Sequence, residues 1–176
     1  QLRFIRSCIR SLPRSAAVTA VNSFVVSRLD YCNYLFTGLP DLQLIRLQRV
    51  LNAAARLLSR TSKFSSITPY LRDTLHWLPI KQRIEFKLAV LTYKALNGLA
   101  PSYLADSLHC AYSASTVYNL RSTGSYDLIV PRSRLVFGDR SFRCAAPRVW
   151  NSLPDFIRSC QSFPAFKKHL KTFLFL

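Results

Sequence analysis

Residues 41–59 read DLQLIRLQRVLNAAARLLS, and this stretch decides the fold class. At 100° per residue, Leu47, Val50, Leu51, Ala54, Leu57 and Leu58 fall within about 120° of arc, the apolar stripe of a helix laid on a core. Arg49, Arg56 and Arg60 lie on the opposite side, with Arg46 at its margin. Asp41 stands where an N-cap or first-turn acid meets the positive end of the helix dipole. A helix with two such different faces needs partners to cover the apolar one.

The flanking sequence supplies them as further helices. Residues 3–11 read as the end of a helix stopped before Pro13. A second helix is expected over 14–35, with Val18, Val21, Val25 and Leu29 at steps of three and four. Thr37-Gly38-Leu39-Pro40 then breaks the chain, Gly38 being placed as a C-cap. After a polar loop at 61–66, Thr68-Pro69 opens a short helix reaching His76, a histidine expected to pack between Leu75 and Trp77. A long helix follows over 80–96, ended by Asn97-Gly98. It carries Ile84, Leu88, Leu91 and Ala95 on one side and Phe86, Ala89, Tyr93 and Leu96 on another, which predicts a central helix buried twice. Its Arg83, Lys87 and Lys94 form a stripe only about 40° wide.

Residues 102–108 form a brief helix, and 110–124 are irregular. The runs 125–130 and 135–138, set around Pro131-Arg132-Ser133-Arg134, predict a small β-hairpin. Helix returns over 141–150, kinked or restarted at Pro147, with a turn at 155–159. Phe163, Phe166, Leu170, Phe173 and Leu174 give a last amphipathic helix, from which Lys167, Lys168 and Lys171 face away. The expected fold is therefore mainly α: a helical bundle with a small hairpin near 125–138. It divides into a bundle over 1–109 and a C-terminal segment over 110–176 packed on it.

Composition bounds the function. With 49% hydrophobic residues in 176, there is material for a core. Lys and Arg total 25 against 8 Asp and Glu, a formal charge of +17 in which Glu85 is the single glutamate. Such a surface calls for an anionic partner. Cys8, Cys32, Cys110, Cys144 and Cys160 are widely spaced with no C-x-x-C pair, so free thiols in a reducing, intracellular compartment, nuclear or cytoplasmic, are expected and a metal site is not. No run reaches the roughly 18 apolar residues of a membrane span. The absence of methionine and the start at Gln1 inside a helical pattern suggest a piece of a longer product.

Catalytic chemistry finds little support. Metal-assisted nucleotidyl transfer needs clustered carboxylates, and the eight here are at least eleven residues apart in sequence. Gly38, Gly98, Gly124 and Gly138 make no phosphate loop, so no cofactor and no small-molecule substrate are expected. What remains is basic surface: Arg49, Arg56 and Arg60, continued by Lys63; Arg83, Lys87 and Lys94; Lys167, Lys168 and Lys171; and Arg132, Arg134, Arg140 and Arg143 about the hairpin. Such groups, with almost no acid between them, suit phosphate contact. Tyr112, Tyr118, Tyr126 and Phe137 near them could stack on unpaired bases.

A series of phrases then points to a family. Ser27-Arg28-Leu29-Asp30-Tyr31-Cys32-Asn33 and Gly38-Leu39-Pro40 are followed by Leu47-Gln48-Arg49-Val50 and Asn52-Ala53-Ala54-Ala55-Arg56. Then come Leu75-His76-Trp77-Leu78-Pro79, Tyr93-Lys94-Ala95-Leu96-Asn97-Gly98 and Ala100-Pro101-Ser102-Tyr103-Leu104. Leu120-Arg121-Ser122, Val130-Pro131-Arg132, Gly138-Asp139-Arg140-Ser141-Phe142 and 145–154, AAPRVWNSLP, close the series. In this order, over nearly the whole chain, they resemble the thumb-like region downstream of the polymerase in LINE-type, non-LTR retrotransposon reverse transcriptases. The resemblance implies an origin in an RNA-directed DNA polymerase that copies element RNA at nicked chromosomal DNA. It transfers no catalytic residue, because the aspartate pair of the polymerase and the endonuclease have no counterpart here. It implies as partners RNA or an RNA–DNA hybrid, held by its backbone, and the upstream polymerase domain of the same polyprotein. If about six phosphates are neutralised, log affinity falls with log salt at a slope of roughly −4 to −5. The alternatives at this level are a structural or assembly segment of the polymerase, and a decayed element fragment without selected activity.

Overall fold

A computed structural model describes residues 2–9, 11–62, 64–109 and 127–175. Among them the chain is mainly helical and contains nine α-helices. They are α1 (Leu2–Cys8), α2 (Arg14–Val21), α3 (Ser27–Asp30), α4 (Asp41–Ser59), α5 (Ile80–Leu96), α6 (Ser102–Asp106), α7 (Phe142–Asn151), α8 (Asp155–Arg158) and α9 (Phe163–Phe173). The chain divides into two compact units, one of 1–33 with 39–83 and one of 34–38 with 84–176, so α5 passes from the first to the second after its opening turn. The division expected at 109–110 borders residues outside those described.

In the first unit α4 has the predicted bounds, and Leu51, Ala54 and Ala55 are its buried residues. The buried stripe is turned by about 50° from the expected one, bringing Ala55 in and leaving Val50 exposed. The cause is polar. Gln48 faces the packed side because its Oε1 accepts the Ile80 N–H at 2.8 Å, while its Nε2 donates to Asn52 Oδ1 at 2.8 Å. An otherwise orphaned first-turn donor of α5 is thereby satisfied from another helix.

The helix expected over 14–35 ends at Asp30. A π segment, Asn22–Val26, joins α2 to α3; Tyr31 is extended and Cys32 has φ +48°. The stop is tertiary: Arg83 Nη1 donates to Asp30 Oδ1 and Oδ2 at 2.8 and 2.7 Å, holding the last helical residue where the chain must turn. His76 also departs from expectation. It is exposed with φ +51°, and this left-handed residue lets the Trp77 N–H donate to the Leu71 carbonyl at 2.8 Å while Trp77 and Leu78 go inward.

In the second unit α5 is buried on several sides, as its two apolar rows predict. Leu88, Ala89 and Tyr93 pack with Ala145, Ala146 and Trp150 of α7, Ile157 of α8 and Phe166 and Leu170 of α9. Tyr93 stacks on Phe166 with centroids 4.3 Å apart, and its hydroxyl donates to the Cys160 carbonyl at 3.0 Å. Burial, with Cys160 alongside, pushes the Tyr93 hydroxyl above the usual tyrosine range. Pro147 lies inside α7, fully buried, without ending it.

The β-hairpin is not formed among the described residues 127–138. Leu128 makes one isolated bridge, and 134–140 coil into a bend, a turn and the short 3-10 helix Gly138–Arg140. Two side chains explain why. Asn151 pairs with both backbone groups of Leu128, accepting its N–H at 2.9 Å and donating to its carbonyl at 2.8 Å, which satisfies that peptide without a partner strand. Ser133 Oγ accepts the Leu135 N–H at 3.3 Å and donates to the Leu135 carbonyl at 2.9 Å, a local alternative to a ladder. Residues 125 and 126 of the expected hairpin lie outside the described set.

Candidate polyanion interface

An open groove of about 1110 Å³ lies in the first unit between α1 and the C-terminal half of α4. Four arginines line it: Arg3 and Arg6 from α1, Arg56 and Arg60 from the end of α4 and just beyond. Apolar and hydroxyl side chains, among them Ile9, Ala53, Leu57, Thr61 and Ser62, make up the rest of the wall, and among the described residues no carboxylate is part of it.

Each cation has a local cause. Arg56 is held half-buried by its Nη2, which donates to the Ser65 carbonyl at 3.3 Å. Its Nε is buried without a hydrogen-bond partner, a donor whose desolvation is uncompensated by about 1–3 kcal/mol. Arg60 ends α4 in the left-handed conformation, φ +55°, which turns the chain into Thr61 and Ser62. On α1, Ile5 and Ile9 are buried, so Arg3 and Arg6, about 140° and 80° round the helix from the middle of that pair, are left on the groove side. Four guanidinium groups on one groove repel one another until an anion enters, and planar N–H forks suit phosphate oxygens.

The groove unites Arg56 and Arg60 of the predicted set. Arg49 is exposed on the same side of α4 but earlier along it and outside the lining; Lys63 lies outside the described residues. Arg83 has a different task. Besides Asp30 it reaches the Leu78 carbonyl through Nε at 2.7 Å and lies 5.9 Å from the Trp77 ring centroid, with its side chain 11% exposed. Lys87 is exposed.

In the second unit Lys94 and Lys167 lie 5.0 and 5.5 Å from the centroid of the same ring, Phe163, and Lys171 lies 5.9 Å from that of Phe175. The rings fix these ammonium groups by cation–π attraction. Lys168 is exposed on another side of α9. Arg132, Arg134 and Arg143 are exposed, whereas Arg140 is half-buried, with its Cγ 3.2 Å from where a Cβ on Gly38 would stand.

Besides Asp30, three carboxylates of the second unit are tied to arginines. Asp139 pairs with Arg148 at 2.7 Å, and Asp127 and Asp155 converge on the buried guanidinium of Arg158. Burial works against that charge, but the hydrogen bonds to the two aspartates overcome it and hold Arg158 above the ordinary arginine value. Folding thus joins two acids that are distant in sequence, with a cation between them. Among the described residues no group of three His, Cys, Asp or Glu side chains could hold a metal, and no helix is long and apolar enough to cross a membrane.

Sequence reasoning missed Arg3 and Arg6. The signal was present: taken as a helix, residues 2–9 put both arginines on one face beside Ile5 and Ile9. What the sequence does not contain is the direction in which α1 crosses α4. No family model, curated protein or solved structure matches this chain.

Proposed function

We propose that this chain is the non-catalytic C-terminal part of a LINE-type RNA-directed DNA polymerase, and that it binds the phosphate backbone of RNA or an RNA–DNA hybrid without reading sequence. One observation supports the binding: four arginines share a groove whose lining, among the described residues, contains no carboxylate. The assignment to a polymerase rests on the resemblance of its phrases alone. At the groove the contact is with phosphates, so its share of the affinity depends on charge and spacing, and no bond is made or broken.

A salt titration tests it. Fluorescence anisotropy of a labelled RNA–DNA hybrid gives log affinity against log salt, and four neutralised phosphates contribute about −3.6 to the slope on a duplex. Changing Arg3, Arg6, Arg56 and Arg60 together to Gln removes that share equally for all sequences. A slope near zero for the native chain sinks the reading.

A second reading has one observation in its favour. Leu42 and Ile45 are exposed on the outer side of α4, near Arg49, and suit a protein neighbour such as the upstream polymerase domain. Co-purification with that domain in high salt, after nuclease treatment, would support an assembly role.

A further inference from the structure

Leu135, Val136 and Phe137 are 71%, 78% and 81% exposed, three apolar side chains in succession facing water. A contiguous exposed patch of this kind marks a contact surface. The backbone beneath it is held in place. Besides the two Ser133 hydrogen bonds, the Asp139 N–H donates to the Leu135 carbonyl at 3.2 Å and the Arg140 N–H to the Phe137 carbonyl at 3.2 Å. A Cβ at Gly138 would displace Ser133 Oγ from the position in which it makes those two bonds. The Arg140 side chain, which follows, lies beside Gly38.

The charge around the tip is one-sided. Arg132 and Arg134 are exposed just before it, and the acid of the segment, Asp139, is neutralised by Arg148. The result is an aromatic apex on a hydrogen-bonded turn with cationic shoulders.

We infer that this tip is a stacking platform for an unpaired nucleotide. The Phe137 ring lies on the face of a base, Leu135 and Val136 cover its sugar, and Arg132 and Arg134 hold the flanking phosphates. The inference rests on the polyanion reading and narrows it, because base stacking requires a nucleotide freed from a duplex. Chemistry favours this occupant over an anionic bilayer. A bilayer takes up a protein through apolar area, of which three side chains offer little. A base needs one accessible ring and cations within reach of its phosphates, and the tip has both.

The test compares a blunt RNA–DNA hybrid with the same hybrid carrying a short single-stranded overhang, by anisotropy with the full chain. The expected result is tighter binding of the overhang. Phe137→Ala then weakens the overhang complex by roughly 5- to 150-fold and leaves the blunt one unchanged. Phe137→Tyr retains the preference, and Phe137→Leu loses it, because leucine keeps apolar area but has no π-face. The side chain is exposed, so these variants keep the fold, which circular dichroism verifies. Equal affinity of the native chain for both hybrids overturns the platform while leaving the polyanion reading standing. Failure to bind either hybrid at about 50 mM salt overturns both. Phe137-dependent co-sedimentation with phosphatidylserine vesicles, matched by Phe137→Leu, assigns the tip to a membrane surface and overturns the platform as well.

Discussion

Replacing Arg83 with methionine separates a structural arginine from a nucleic-acid-binding one. The stem is kept and three attachments are lost: the two bonds to Asp30, the bond to the Leu78 carbonyl, and the contact with Trp77. Breaking one side of a fully buried ion pair costs about 3–5 kcal/mol. Here the Asp30 side chain is 42% exposed, so water takes over the carboxylate and that contribution falls to about 1 kcal/mol. The Leu78 carbonyl loses its charged donor, about 1 kcal/mol more, and the ring contact adds about 0.5 kcal/mol. The sum is about 2–3 kcal/mol, or a fall of about 5–10 °C in the melting of the first unit for a chain of this size. Thermal unfolding followed by circular dichroism, with the urea midpoint beside it, measures this. Arg83→Lys keeps the charge but cannot reach Asp30 and Leu78 together, and is expected midway. RNA affinity is expected to stay within about twofold. Native melting of Arg83→Met together with a tenfold loss of RNA affinity would refute the reasoning and return Arg83 to the binding surface.

Three other perturbations follow from the structure. Asn151→Ala strips Leu128 of both hydrogen bonds and should destabilise the second unit by about 2 kcal/mol, read from its denaturant midpoint; an unchanged midpoint means that water replaces the side chain at no cost. Gly38→Ala places a Cβ at φ +71° and 3.2 Å from Arg140 Cγ, an expected loss of about 1–2 kcal/mol, whereas a melting temperature at or above the native one would contradict it. Tyr93, raised in pKa by burial, stays neutral in the folded chain at pH values where the unfolded chain ionises. Its stabilising effect is therefore complete below the ordinary value of 10.0 and is lost as pH rises from there toward the folded value. Urea midpoints across that range should fall less steeply in Tyr93→Phe, and parallel curves for the two proteins would show that another group is responsible.

How much of this was legible beforehand varies with the kind of interaction. The bounds of α4 and α5 follow from a hydrophobic period repeated over several turns, and a signal that long survives whatever the neighbours do. The same period placed Lys94, Lys167 and Lys171 on solvent-facing stripes. It brings Lys167 beside Phe163, four residues back on the same helix, but could not report that Lys94 would join them, because that proximity depends on how α9 crosses α5.

Sequence alone determined the helical class, the excess of cations over acids, and the positions of the long helices, since each depends on local spacing or on counting. Tertiary structure decided where the second helix stops, which arginines meet at the groove, and that a turn occupies 134–140. The groove depends on how α1 crosses α4; the helix stop, the face α4 buries and the lost hairpin depend on single polar side chains finding distant partners: Arg83 with Asp30, Gln48 with Ile80, Asn151 with Leu128. A hydrogen bond between residues 23 or 53 positions apart leaves no periodic trace in the chain. Burial makes leaving such a donor or acceptor unpaired more costly than giving up a few residues of helix or strand, so the backbone yields to the side chain.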